Sequence, residues 1–233
     1  MQSFLSHISQ LFLQSSCQSC QRASSEFFCP FCQAQLHTGI RSPLIEPPST
    51  HHPFPLFAWA TYDTSLRQII QQLKYNNQPA IGTWLGTEMA KSWIHAKLHQ
   101  KFPRLLVVPI PMHKSKEKQR GYNQAEIISR SFARQIGYRH QPNALIRIRE
   151  TQPQSELGLD DRAQNLESAF SLAPNFKSNQ PVLLLDDIFT TGATLRTAIK
   201  LLENHNICIW GSAVTARGHL DPTLKIPKKV PQF

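Results

Sequence analysis

Two adjacent carboxylates followed by hydroxyls and a glycine are the most chemically capable group in this chain of 233 residues. They lie in the run VLLLDDIFTTGAT, Val182 to Thr194. Val182 to Leu185 are apolar without alternation, as in a strand covered on both faces. Asp186 and Asp187 are therefore expected at a strand's carboxyl end, where open α/β sheets bind ligands. Neighbouring carboxylates there are costly unless hydroxyl donors or a metal-bearing ligand meet them, and the two hydroxyls of a ribose are such donors. Thr190, Thr191, Gly192, Ala193 and Thr194 then form a small-residue turn running into a helix that begins near Ala193. Gly192 permits close backbone approach, successive N–H groups converge, and the helix dipole adds about half a positive charge, which together suit a phosphate monoester. Acids for a ribose and a phosphate cradle a few residues on describe the two ends of a ribose 5-phosphate. A core strand with a capped helix explains the hydrophobicity and Thr190, but not tandem acids with TTGAT.

A second constellation is Cys17, Cys20, Cys29 and Cys32, the pairs CQSC and CPFC. Two such turns each offer two thiolates to one ion at about 2.3 Å, completing a tetrahedral zinc site with no place open for water, hence a structural one. Iron–sulfur or redox use is the alternative, while disulfides fit a secreted chain and nothing here is secretory. Some 20 ordered residues bury little core, so the metal is expected to supply most of this element's folding energy. The fifth cysteine, Cys208, sits in the apolar run ICIW and is expected as a buried strand residue.

Strands and helices in alternation must position these groups. Strands are expected at 56–62, 105–111, 144–149, 182–185 and 207–214. Helical periodicity covers Ser65 to Tyr75, Ile81 to Lys101, Gln124 to Ile136 and Ala193 to Glu203. This alternation argues for an α/β fold with a mainly parallel, doubly wound sheet. Between His37 and Pro55, prolines at 43, 47, 48, 53 and 55 deny regular hydrogen bonding and read as a linker. Its His51 and His52 read as linker residues rather than ligands. The expected organisation is thus 1–36, a helix and the cysteine element; 37–55, linker; 56–218, the main domain; and 219–233, an extended tail.

The chain carries 25 basic and 15 acidic residues, a formal charge of +10, which favours anionic partners. A solvated basic surface explains the charge equally well. No apolar run approaches the roughly 20 residues of a membrane helix. The first residues have helical rather than signal-peptide patterning, so the protein is expected in the cytoplasm. Within the basic excess, His113, Lys114, Lys116, Lys118 and Arg120 cluster against the single acid Glu117. Asn123 reads as the cap of the helix from Gln124.

The segment 182–194 resembles the PRPP-binding motif of type I phosphoribosyltransferases, PRPP being 5-phosphoribosyl-1-pyrophosphate. The whole chain resembles the ComF family, which joins a four-cysteine zinc element to a Rossmann-like domain of that type. The likeness runs through the cysteine pairs, LKYNNQ, VPIPMHKSKEKQRGYNQAE, RIRETQPQSELGLDDRAQNLESAF and the motif. Departures are a longer proline-rich linker, the basic tail, and Asn77 where relatives often carry glycine. The resemblance implies a phosphoribosyltransferase-like protein associated with DNA uptake and natural competence. It implies Asp186 and Asp187 as catalytic acids and Thr190 to Thr194 on the 5-phosphate. Met112, His113, Lys114 and Ser115 would hold the diphosphate, assisted by Lys116 and Arg120, and Mg2+ would accompany PRPP. Gln154, Arg162 and Asn165 are marked by the same kinship without a derivable chemistry.

One expectation is therefore an enzyme moving a phosphoribosyl group from PRPP to a nucleophilic acceptor that the sequence does not name. The other is a binding module: a PRPP or nucleotide sensor, or an accessory whose basic face meets single-stranded DNA or the helicase and uptake proteins of competence. Fold alone does not choose between them.

Overall fold

The computed structural model describes residues 16–39, 43–49, 52–149 and 169–218. The expected N-terminal helix, the tail, His51, Gln154, Arg162 and Asn165 lie outside these residues.

Among the described residues, six strands form the main sheet: β1 (Leu44–Glu46), β2 (Leu56–Thr61), β3 (Leu106–Pro109), β4 (Arg139–His140), β7 (Val182–Phe189) and β8 (Ile209–Arg217). Their order is β1-β2-β8-β7-β3-β4. All neighbours pair in parallel except β1, which runs antiparallel to β2 at the edge. A separate antiparallel pair joins β5 (Leu145–Arg147) to β6 (Phe170–Leu172). The helices are α1 (Pro30–Gly39), α2 (Thr64–Tyr75), α3 (Pro79–His95), α4 (Leu98–Lys101), α5 (Lys114–Arg120), α6 (Gln124–Ile136) and α7 (Ala193–Asn204). The mixed α/β, mainly parallel architecture is the one expected.

Period-2 alternation in buried strands builds two cores, one on each sheet face. Leu183 and Leu185 join Phe57, Trp59 and Val107 beneath α2, α3 and α6, whereas Val182 and Leu184 join Leu56, Ala58 and Val108 beneath α7. The α3–α6 contact is close because Gly86 lacks a side chain: a Cβ there would come within 2.3 Å of the Ile128 carbonyl oxygen.

Several local expectations are corrected. The strand expected at 182–185 continues to Phe189, so both aspartates lie within β7 rather than past its end. The helix expected over Ile81 to Lys101 breaks where Lys97 adopts a left-handed φ of 56°. The basic cluster, given no element from sequence, is helical: α5 starts at the His113 cap, which accepts from the Ser115 N–H, and stops at Gly121 with φ 87°. The proline-rich stretch is not without regular hydrogen bonding, since prolines flank but do not enter β1. Cys208 is exposed, not buried, because β8 begins one residue later and Ile207 takes the inward position. Finally, the cysteine element shares a core with the rest. Phe28 packs edge-on against Trp84 at 4.7 Å, and Cys17, Cys29, Cys32 and Leu36 belong to the larger cluster.

Candidate functional site

The strand order places a crevice. The chain leaves β3 through α6 toward β4, and leaves β7 through α7 toward β8. Because β3 and β7 are neighbours, these connections depart in opposite directions, which opens the crevice at their carboxyl ends. A cleft of about 360 Å³ lies there. It is lined by Asp186, Asp187, Thr190 and Thr194 from the β7 side and by Met112, Lys116 and Arg120 from the β3 side. His113, Lys114, Ser115, Thr191, Gly192 and Ala193 are not among its lining residues.

The two acids have different surroundings. Asp187 is 6% exposed. Its Oδ2 lies 2.6 Å from the Lys74 ammonium and accepts from Gln124 Nε2 at 3.0 Å, while Oδ1 accepts from the Ile188 N–H at 2.7 Å. Burial acts to raise this carboxyl, but the Lys74 charge and these donors outweigh it and hold Asp187 below the usual carboxylate range. Burial likewise acts to lower Lys74, and Asp187 outweighs it, raising the ammonium above its ordinary value. Asp186 Oδ1 accepts from the Asp187 N–H at 2.8 Å. Burial, and then the neighbouring Asp187 carboxylate, push it up to about 8. Near neutral pH the pair therefore combines an ionised and a largely protonated carboxyl, which can together accept from and donate to a diol.

The turn after β7 is shaped by Gly192. Its φ of 71° is left-handed, and a Cβ would stand 2.5 Å from the Phe189 ring. Gly192 caps α7, the Ala193 N–H reaches the Thr191 hydroxyl at 3.4 Å, and Arg196 holds the Thr191 carbonyl at 2.7 Å. Thr190 and Thr191 are exposed. Asn123 caps α6 through the Ala125 N–H, as expected, and also donates to the Ile110 carbonyl, tying α6 to the end of β3. Arg120 does not simply face a ligand: it donates to Gln124 and lies over the Tyr75 ring at 5.6 Å.

Lys74, Tyr75, Gln124 and Arg147 also line the cleft, and residue type and spacing alone give them no role. Lys74 and Gln124 stood inside the family-like stretches LKYNNQ and RGYNQ, so position was visible and contact was not. Asn77 adopts φ 51°, the left-handed conformation that suits glycine and that asparagine tolerates, which accounts for that departure.

The sulfurs of Cys17, Cys20, Cys29 and Cys32 lie within 4.8 Å of one another. Cys20 and Cys29 are 3.7 Å apart, close to the edge of about 3.8 Å that a tetrahedron with 2.3 Å metal–sulfur bonds requires. The Cys29 N–H donates to Cys17 Sγ at 3.2 Å, the kind of contact that stabilises a thiolate. The donor set fits a metal ion. His52, by contrast, is engaged by the Phe54 carbonyl and Glu46, so it is not available as a ligand.

Residues 105–230 match the phosphoribosyl transferase domain family. Competence protein F of Haemophilus influenzae is 32% identical over 215 residues, covering 84% of this chain and 89% of that protein. The DNA utilization protein YhgH of Escherichia coli strain K12 is 27% identical over 193 residues, covering 80% and 83%. Competence protein ComFC of Bacillus subtilis is 28% identical over 142 residues, covering 61% and 55%.

Proposed function

Because this chain belongs to the phosphoribosyl transferase domain family, as a ComF-type member akin to competence protein F, we propose that it binds PRPP and transfers its phosphoribosyl group to a nucleophilic acceptor. One observation carries the reading: the acidic pair and Thr190 and Thr194 line a single cleft at the sheet's switch point. Asp187, ionised and fixed, and Asp186 beside it orient the ribose hydroxyls. The turn from Thr190 to Thr194 anchors the 5-phosphate with N–H groups and hydroxyls. Met112 to Lys116 and Arg120 serve the departing diphosphate. Anchoring the remote phosphate positions the reacting carbon, and charge placed against the diphosphate lowers the barrier to a dissociative, oxocarbenium-like transition state.

The hard oxygen donors of Asp186 and Asp187 fit Mg2+, whose chemistry when bound with PRPP is to neutralise the diphosphate. In the cysteine element we assign Zn2+, because four thiolates leave no position open for catalysis. A reducing cytoplasm keeps such thiols available, and we place the protein there. No helix of the described residues is long and apolar enough to cross a membrane.

The relatives' names speak of competence and DNA utilization, and on that kinship we assign the chain to the handling of incoming DNA. A second reading, a non-catalytic PRPP or single-stranded-DNA accessory, is favoured by the exposed Tyr75 beside Arg120, since aromatic rings interleaved with cations suit unpaired bases.

Calorimetric titration of PRPP with Mg2+ into the zinc-loaded protein tests the site. Saturable binding is expected in the wild type and none in Asp186→Ala/Asp187→Ala. A folded wild type that does not bind PRPP overturns the proposal, whereas binding without diphosphate release across an acceptor screen favours the accessory reading.

A further inference from the structure

Lys74 lies in the last turn of α2, where helix-end carbonyls favour a cation. That helix end is held from outside by the Tyr122 hydroxyl, which donates to the Leu73 carbonyl, and closed from within by the Asn76 N–H on the Gln72 carbonyl. Any displacement of the ammonium would therefore run through its flexible four-carbon stem, not through the backbone. Its present partner has little to spare. A carboxylate offers about four acceptor positions, and three of those on Asp187 already meet Lys74, Gln124 and the Ile188 N–H. A divalent cation or a diol that engages the Oδ2 edge must therefore compete with the ammonium, and the cation is also repelled by it.

The same side chain borders a second cavity of about 630 Å³, together with Asn77, Lys116, Lys118, Gln119 and Arg120. None of its described lining residues is acidic, and it shares Lys74, Tyr75, Lys116 and Arg120 with the cleft that holds the aspartates. An ammonium standing between a carboxylate and a cavity of cations has one place to go when an anion enters that cavity. We propose that Lys74 is an exchangeable counter-ion: without ligand it neutralises Asp187, and when PRPP enters it transfers to the diphosphate, which lies by Lys116 and Arg120 where the two cavities share their lining. This rests on the reading that the cleft binds PRPP. The exchange couples the two ends of the ligand, because the acidic pair is freed for the ribose only as the diphosphate claims the ammonium.

The test titrates inorganic pyrophosphate with Mg2+, and separately ribose 5-phosphate, into the full zinc-loaded chain as wild type, Lys74→Met, Lys74→Gln and Lys74→Arg. Thermal unfolding verifies that each variant is folded. Lys74→Met and Lys74→Gln are expected to weaken pyrophosphate at least about tenfold and to strengthen ribose 5-phosphate by about threefold or more, because no ammonium competes for Asp187, with most of the pyrophosphate loss restored in Lys74→Arg. Equal weakening of both ligands would mark Lys74 as a structural prop for Asp187 and overturn the exchange, as would indifference of both. A folded wild type that binds neither ligand overturns the PRPP reading itself, and the exchange with it.

Discussion

At the scale of the residue, two aspartates adjacent in sequence are displaced in opposite directions, because the side chains of consecutive strand residues meet different surroundings. Asp187 reaches the Lys74 ammonium and Gln124, while Asp186 keeps burial and a like charge. Asp186 rises from an ordinary 3.8 to about 8. Between those values the folded state holds a proton that the unfolded chain has released, so the stability contributed by Asp186 falls as pH rises through that window. Asp186→Asn is therefore expected to stabilise the ligand-free protein at pH 8 by at least about 1 kcal/mol and much less at pH 5, read by urea unfolding. A stability difference independent of pH would count against the displaced carboxyl. For the same reason, Mg2+–PRPP affinity is expected to climb toward pH 8 with proton release, a slope Asp186→Asn removes. Gly192 supplies a second residue-scale prediction. Gly192→Ala forces a Cβ into the Phe189 ring at a left-handed φ, at a cost of about 2 kcal/mol in stability together with weaker PRPP binding.

At the scale of the element, β1 is short but anchored. Glu46 accepts from the buried Arg217 and contacts His52 at 2.7 Å, so the proline-rich segment is latched to the end of β8. Arg217 also lies 5.2 Å over the Phe189 ring, which is the ring that meets Gly192. The latch therefore backs the turn proposed to hold the 5-phosphate. Glu46→Ala leaves a buried guanidinium without its carboxylate and is expected to cost about 3 kcal/mol in urea unfolding, with a parallel loss of PRPP affinity. Stability lost with affinity unchanged would separate β1 from the phosphate turn.

At the scale of the molecule, the cysteine element is part of the main core. Phe28 packs on Trp84, which in turn meets Trp59 on β2. Removing the metal is therefore expected to lower the melting temperature of the whole chain by about 5 °C and to shift tryptophan emission. Cys17→Ser and Cys32→Ser, which remove sulfurs already buried, should reproduce both effects. A chelated protein that melts unchanged would show that packing alone holds the element.

The sequence by itself determined the layer architecture, the parallel sheet and the four clustered cysteines. Each of these is written in local chemistry: continuous apolar strands, helical periodicity and paired thiols. Tertiary structure alone decided that Lys74, 113 positions before Asp187, stands against it, that Gln124 shares the same oxygen, and that the two carboxyls are shifted in opposite directions. It also decided that a proline-rich stretch carries an edge strand and that the cysteine element leans on Trp84. Those facts depend on which distant groups share a small buried volume, and burial and pairing across a fold leave no local pattern in the chain.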